Sequence, residues 1–244
     1  MSLHLSDKLD LEEAKGRLAL TGRARVGGTL GGDGAKAVHD ALLDPAMIWM
    51  RAIENPFNAD VPVTVFEAEP LHEQARLMGM AHQEATDGFQ FVFDRLRLGP
   101  ARLQGLPLPQ PLYDLHGLFN SDPWLDFARR LTGDDRIAYV DAQATRYLPG
   151  HFLNGHTDEH ADAGRLYAYV LNVSPRWRPE WGGLLMFLDD DGGVTETFSP
   201  SFGTLNVFKV PQRHAVTMVV PFAAAPRYSI TGWWRTNPPG PGQG

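Results

Sequence analysis

The chain has no cysteine among its 244 residues. Disulfides, thiolate metal sites and a cysteine nucleophile are therefore excluded, and nothing calls for an oxidising compartment. It also lacks any run of about 18 apolar residues, the length a membrane-spanning helix needs. Between Met1 and Gly16 stand Asp7, Lys8, Asp10, Glu12, Glu13 and Lys15, which leave no room for the apolar stretch of a secretory signal. No cluster of Lys or Arg interrupts a formal net charge of -7, so a general binder of nucleic-acid backbone is not expected. The expectation is a cytoplasmic protein with neither a membrane nor a nucleic-acid partner.

What is present is the composition of a globular chain, 43% hydrophobic and 21% charged, long enough to bury a substantial core. The first half reads as helices with breaks. Asp33 caps a helix with Val38, Ala41 and Leu42 on one face, and Gly27-Gly28 and Gly31-Gly32 precede it as turns. From Pro70, the residues Leu71, Ala75, Met78 and Ala85 recur at helical spacing, and Phe89, Phe91 and Phe93 then alternate as in a half-buried strand. Ser121, Pro123, Trp124, Phe127, Ala128, Leu131 and Gly133 outline a third helix with its cap and stop.

From Arg136 the character changes. Short β-prone runs at 136–147, 165–173, 183–188, 203–210, 214–220 and 227–234 are separated by turn signals such as Pro149-Gly150 and Asp191-Gly192-Gly193. Strands at this density suggest a sandwich or barrel rather than βαβ units. The expected organisation is one domain over residues 1–237. Residues 1–135 form its helix-rich support, 136–237 its jelly-roll barrel, and Pro238–Gly244 a disordered tail.

His156 and Asp158 are two residues apart, so in an extended segment their side chains share a face. His214 opens another strand 58 residues later. Two imidazoles and one carboxylate on one side of an ion leave its other positions open, the arrangement of non-haem Fe(II) oxygenases. His151 and His160 compete as ligands. A set of His156, Asp158 and His160 would instead suit a hydrolytic zinc or binuclear centre. Pro149-Gly150 and Asn154-Gly155 argue against the helix that a His156/His160 pair would need.

In the last β-prone run, alternation puts Arg227, Ser229, Thr231 and Trp233 on one face. A guanidinium pointing into a barrel costs several kcal/mol unless it finds an anion, on the order of the penalty for any uncompensated buried charge. A ligand carboxylate taken by Arg227, with Ser229 donating a hydroxyl, would supply one. Outward placement would leave Arg227 merely solvated, and Arg213 and Arg235 are rival arginines.

These pieces, in order over roughly residues 140–235, resemble the 2-oxoglutarate- and Fe(II)-dependent dioxygenases of the prolyl 4-hydroxylase-like group, bacterial and fungal relatives of the hypoxia-type prolyl hydroxylases. The resemblance rests on Tyr147-Leu-Pro-Gly, His156-Thr157-Asp158, Leu171-Asn172, Trp181-Gly182-Gly183-Leu184, His214 and Arg227-Tyr-Ser-Ile-Thr-Gly-Trp. It implies a mainly β chain with a helical N-terminal layer (α+β), built on a double-stranded β-helix of the cupin-like jelly-roll kind. Iron would sit on His156, Asp158 and His214, and 2-oxoglutarate on Arg227, with Tyr147 and Ser229 assisting. The interval from His214 to Arg227 is longer than the family usually shows. Val170 stands where hypoxia-type members often carry tyrosine.

The implied reaction is hydroxylation of an unactivated C–H, most simply a prolyl residue of a protein or peptide, although relatives also oxidise small molecules. It consumes O2 and 2-oxoglutarate, releases succinate and CO2, and takes ascorbate as a reductant. Trp181, Phe187, Trp233 and Trp234 line either the substrate's path or the core, and Asp189-Asp190-Asp191 reads as a solvated turn. Two other classes remain open: a metallohydrolase on His156, Asp158 and His160, and a non-catalytic barrel that binds or senses 2-oxoglutarate.

Overall fold

A computed structural model describes residues 3–55, 58–159 and 164–238. Its first half runs α1 (Glu12–Thr21), β1 (Arg23–Gly27), α2 (Gly34–Leu42), β2 (Met50–Ile53) and β3 (Ala59–Pro62). Then come α3 (Val63–Ala68), α4 (Leu71–Glu84), β4 (Phe91–Arg97), α5 (Leu98–Leu103), α6 (Gln110–Phe119) and α7 (Asp122–Thr132). The second half is strand: β5 (Tyr139–Val140), β6 (Gln143–Tyr147), β7 (Phe152–His156), β8 (Arg165–Asn172) and β9 (Leu185–Leu188). β10 (Val194–Phe198), β11 (Thr204–Lys209), β12 (His214–Val216) and β13 (Arg227–Arg235) complete it.

Strands β1-β11-β8-β13-β6-β4-β7-β12-β9-β10 are joined in that order by antiparallel pairing, with β2, β3 and β5 at the side. The sheet curls so that the arm β7-β12-β9-β10 closes over the longer arm, which is the expected jelly roll. Period-two alternation then divides the side chains. On β13, Tyr228, Ile230 and Trp234 join the core under the helices, while Arg227, Ser229, Thr231 and Trp233 face the space between the arms. On β8, Leu171 faces the helices, and Ala168 and Val170 face inward. Helices α6 and α7 supply Leu112, Leu115, Phe119, Trp124, Phe127 and Ala128 to the outer core.

The helical support is less purely helical than its sequence suggests. β1 lengthens the large sheet by pairing with β11. β4 bridges the two arms, with Leu96 opposite Ala144 of β6 and Phe91 opposite Leu153 of β7. A buried carboxylate fixes this bridge: Asp94 accepts from Arg51 Nε on β2 at 2.7 Å and from Arg146 Nη2 on β6 at 2.7 Å. Removing such a carboxylate would strand two guanidinium groups, a loss of about 3–5 kcal/mol.

The helix read from Pro70 onward is α4, but its stripe lies largely at the surface, with only Ala81 buried and Leu71 82% exposed. Ser121 precedes α7 but does not cap it with its side chain. Its hydroxyl donates to the carbonyl of Leu118 instead, and Gly133 ends the helix in the left-handed region as expected. Among the described residues no helix is long and apolar enough to cross a membrane. Residues 239–244 of the expected tail lie outside the described residues.

Because β4 joins the two arms, deleting residues 1–130 is expected to give insoluble protein, stripped of that bridge and of the helices that cover Leu171, Ile230 and Trp234. A soluble fragment from 131 onward with a cooperative thermal transition would show that the barrel folds without its support.

Candidate metal centre and cosubstrate pocket

β7 ends at His156 and β12 begins at His214, and their antiparallel register sets the two histidines opposite each other. Asp158 lies two residues beyond the end of β7. One ligand atom from each of His156, Asp158 and His214 falls within 4.8 Å of the others. Asp158 Oδ1 stands 3.5 Å from His156 Nε2, and Oδ2 stands 3.5 Å from His214 Nε2.

The tautomers follow from the main chain. His156 Nδ1–H donates to the carbonyl of Asn154 at 2.9 Å, and His214 Nδ1–H to that of Gln212 at 2.9 Å. Each Nε2 is thereby turned toward the Asp158 carboxylate, held there by outer hydrogen bonds as in most metal-binding histidines. Burial pushes the His214 imidazole down to about 4, against the upward pull of Asp158. Burial pushes the Asp158 carboxyl up, but hydrogen bonding from His156 and the charge that His214 and His156 carry when protonated outweigh it and hold it below its ordinary value. Two imidazole nitrogens and a carboxylate form a donor set that fits a ferrous ion.

The triad opens on a cavity of about 260 Å³ between the two arms of the sheet. Arg227 is on its wall, 1% exposed, and its Nε and Nη1 have no hydrogen-bond partner among the described residues. Burial lowers its pKa, and only the Tyr147 hydroxyl opposes that. Tyr147 is its cross-strand neighbour on β6. The guanidinium lies 5.3 Å from the Tyr147 ring centre, and that ring stacks on Phe93. Ser229 faces the same cavity, and its hydroxyl pairs with that of Thr145 at 2.8 Å.

The Gly182-Gly183 pair makes room for the arginine. Both have positive φ, and a Cβ on Gly183 would come within 3.2 Å of Arg227 Cδ and of Trp177. Trp177 Nε1 donates to the carbonyl of Gly182 at 2.9 Å, which pins the turn.

The rivals are placed elsewhere. Arg235 is tied to Asp141 at 2.7 Å, and Arg213 is exposed on the outer side of the strand pair. His151 is buried near Asp94, away from the triad, and burial pushes it down to about 3. His160, the ligand on which the hydrolytic alternative depends, lies outside the described residues. Of the four aromatics, Trp233 lines the cavity, Phe187 and Trp234 are core, and Trp181 packs edge-on against Trp177. Asp189 accepts from the Gly193 N–H at 2.6 Å, so the acidic run is a β9–β10 turn.

Sequence reasoning overlooked Thr145, Gln143 and Arg165, all on the cavity wall. The first two are cross-strand partners of Ser229 and Thr231, a relation that only the register reveals. Arg165 opens β8 much as Arg227 opens β13, and that was a readable signal.

Residues 142–235 match the family model of the 2OG-Fe(II) oxygenase superfamily. No curated protein matches the chain. Among solved structures, a Pseudomonas putida prolyl-4-hydroxylase is 18% identical with a TM-score of 0.52, covering 94% of this chain and 100% of its own. A Trichoplax adhaerens prolyl hydroxylase, in complex with a hypoxia inducible factor peptide fragment, is 16% identical with a TM-score of 0.60, covering 91% and 87%. A 2OG-Fe(II) oxygenase family oxidoreductase from Burkholderia pseudomallei is 15% identical with a TM-score of 0.55, covering 97% and 96%. At these identities the likeness is one of fold. The matched segment begins just before β6 and ends with β13, so the likeness to the 2OG-Fe(II) oxygenase superfamily model spans the strands that carry the triad and Arg227.

Proposed function

We propose that the chain is a 2-oxoglutarate-dependent hydroxylase acting on an unactivated C–H, with a prolyl residue of a protein or peptide as the favoured substrate and succinate and CO2 as by-products. The observation that carries the reading is Arg227, a buried guanidinium with unpartnered nitrogens in the same cavity as the His156/Asp158/His214 cluster. A buried cation of this kind requires an anion, and a dicarboxylate long enough to reach the triad supplies it. The prolyl preference draws on the two prolyl hydroxylases of similar fold.

His156, Asp158 and His214 would hold iron(II), which supplies the oxidising chemistry when bound. The chain's own residues bind and orient. Arg227 takes the distal carboxylate in a two-pronged grip. Tyr147 adds its hydroxyl, kept neutral because burial raises its pKa well above the ordinary value. Ser229, fixed by Thr145, shapes the floor beside them. The phenylalanines of β4 and Val216, Leu185 and Phe208 keep the cavity dry.

Anaerobic titration with Fe(II), with and without 2-oxoglutarate, is the deciding experiment. A visible charge-transfer band that needs both components is expected, followed on aeration by succinate release that rises with a proline-containing peptide. Metal binding that is indifferent to 2-oxoglutarate would overturn the proposal and favour the hydrolytic alternative. A band without succinate release under any condition would point to a sensing barrel.

A further inference from the structure

Two features flanking the triad have no part in holding iron or 2-oxoglutarate. The first is an aromatic wall. Phe89, Phe91 and Phe93 follow one another along the cavity with ring centres 5.8 and 5.3 Å apart, and Phe89 lies 5.5 Å from the His156 ring. Phe89 is 41% exposed, so the wall reaches the surface.

The second is a cation. Arg165 lines the same cavity and lies flat on Trp233, its guanidinium carbon 3.7 Å from the ring centre. Its Nη1 donates to the main-chain carbonyl of Asp158 at 3.1 Å, while its buried Nε has no partner among the described residues. Its cross-strand neighbour is another arginine, Arg235, whose Nη1 is spent on Asp141 and whose Nε and Nη2 also lack partners. The Asp158 carboxylate faces the two imidazoles. Among the described residues, Asp141 is the one carboxylate bonded to either guanidinium, and it is taken by Arg235; Arg165 feels Asp158 and Asp141 through space and has no carboxylate hydrogen-bonded to it.

We propose that the substrate itself presents a carboxylate to Arg165, with its apolar, oxidisable part lying on the Phe89–Phe91–Phe93 wall. The inference rests on the dioxygenase reading, since it assigns Asp158 to iron and Arg227 to 2-oxoglutarate. Stacking on Trp233 and the bond to Asp158 hold the guanidinium plane still. An incoming carboxylate meets the Nε edge already oriented and can be taken by two parallel hydrogen bonds. The carboxylate comes from either of two sources, a free small acid or an acidic residue beside the oxidised one in a peptide.

The test uses two matched pairs of probes. One is N-acetyl-L-proline against N-acetyl-L-prolinamide. The other is the capped peptide acetyl-Ala-Pro-Asp-amide against its Asn counterpart. Binding to the metal-free chain, with 2-oxoglutarate in excess, is followed by saturation-transfer NMR. The acid member of at least one pair is expected to bind roughly tenfold or more tighter than its neutral partner, the span of a hydrogen bond to a charged group. Which pair shows the preference identifies the source. Arg165→Gln should abolish the preference, and Arg165→Lys should keep only part of it. Arg227→Gln should keep the preference while losing 2-oxoglutarate.

Equal binding of acid and neutral members in both pairs, or no binding by any probe, overturns the inference. A preference that disappears in Arg227→Gln but survives in Arg165→Gln assigns the acid to the cosubstrate arginine and also overturns it. The dioxygenase reading fails separately, through absence of any 2-oxoglutarate affinity in the unaltered chain loaded with Fe(II).

Discussion

Replacing Arg227 by lysine is expected to weaken 2-oxoglutarate binding by about ten- to a hundredfold while leaving Fe(II) affinity intact. Lysine keeps the charge but offers a point donor in place of the planar fork, and a lost hydrogen bond to a charged group is worth roughly 1.5–3 kcal/mol. Arg227 is 1% exposed, so water cannot take over the missing contact. Of the other two arginines lining the cavity, Arg95 is paired with Asp60 and Arg165 donates to the Asp158 carbonyl. The matched control is Arg235→Lys, whose partner is Asp141 rather than the cavity. The apparent KM for 2-oxoglutarate in succinate release, measured for both variants, separates them. If Arg235→Lys is the impaired protein and Arg227→Lys is normal, the cosubstrate arginine has been misassigned.

His214→Ala is expected to abolish tight Fe(II) binding, and with it all succinate release. Losing an outer hydrogen-bond partner of a metal ligand costs about 10–100-fold in affinity, and losing a ligand itself should exceed that. The variant leaves Asp158 facing His156 alone, with a gap where Nε2 stood 3.5 Å from Oδ2. His151→Ala should bind iron normally, because His151 is sequestered near Asp94, and so should His160→Ala. Anaerobic titration with Fe(II), or with Co(II) as a spectroscopic stand-in, reports all three. Loss of metal in His160→Ala together with retention in His214→Ala would move the centre to the hydrolytic set.

The candidate site was more legible in the sequence than the scaffold was, for a physical reason. Along β13 and around His156 the chemistry is carried by residue type at period-two spacing, and period two is what a strand enforces. Arg227, Ser229, Thr231 and Trp233 could be put on one face before any partner strand was known. The jelly roll was also legible, from the density of short β-prone runs and the ordered motifs between them.

The scaffold of the first half was not, because its strands are short and their pairing is remote. β1 pairs with β11, whose residues lie far along the chain, and nothing local in Arg23–Gly27 announces that partner. β4 showed its alternation through Phe89, Phe91 and Phe93, yet its place between the arms depends on Asp94 meeting Arg51 and Arg146. At α4 the helix itself was legible but its exposure was not. Helical spacing of Leu71, Ala75 and Met78 is a local property, while burial needs a surface to pack against, and the helix finds one mainly at Ala81.

β13 is the last strand in chain order, yet it lies in the middle of the long arm, hydrogen-bonded to β8 on one side and to β6 and β5 on the other. On a ribosome, where domains fold as the chain emerges, this order has a cost. Until Arg227–Arg235 leaves the exit tunnel, β6 and β8 both present open edges to their surroundings, and open edges invite pairing with other chains. The two histidines and the aspartate have all been synthesised by then, but the strand pair that walls their cavity has no seam. A premature stop shortly before Arg227 therefore does more than remove one guanidinium from the cavity. It leaves a sheet split down its centre, a product for chaperones and proteases rather than a folded barrel short of one strand.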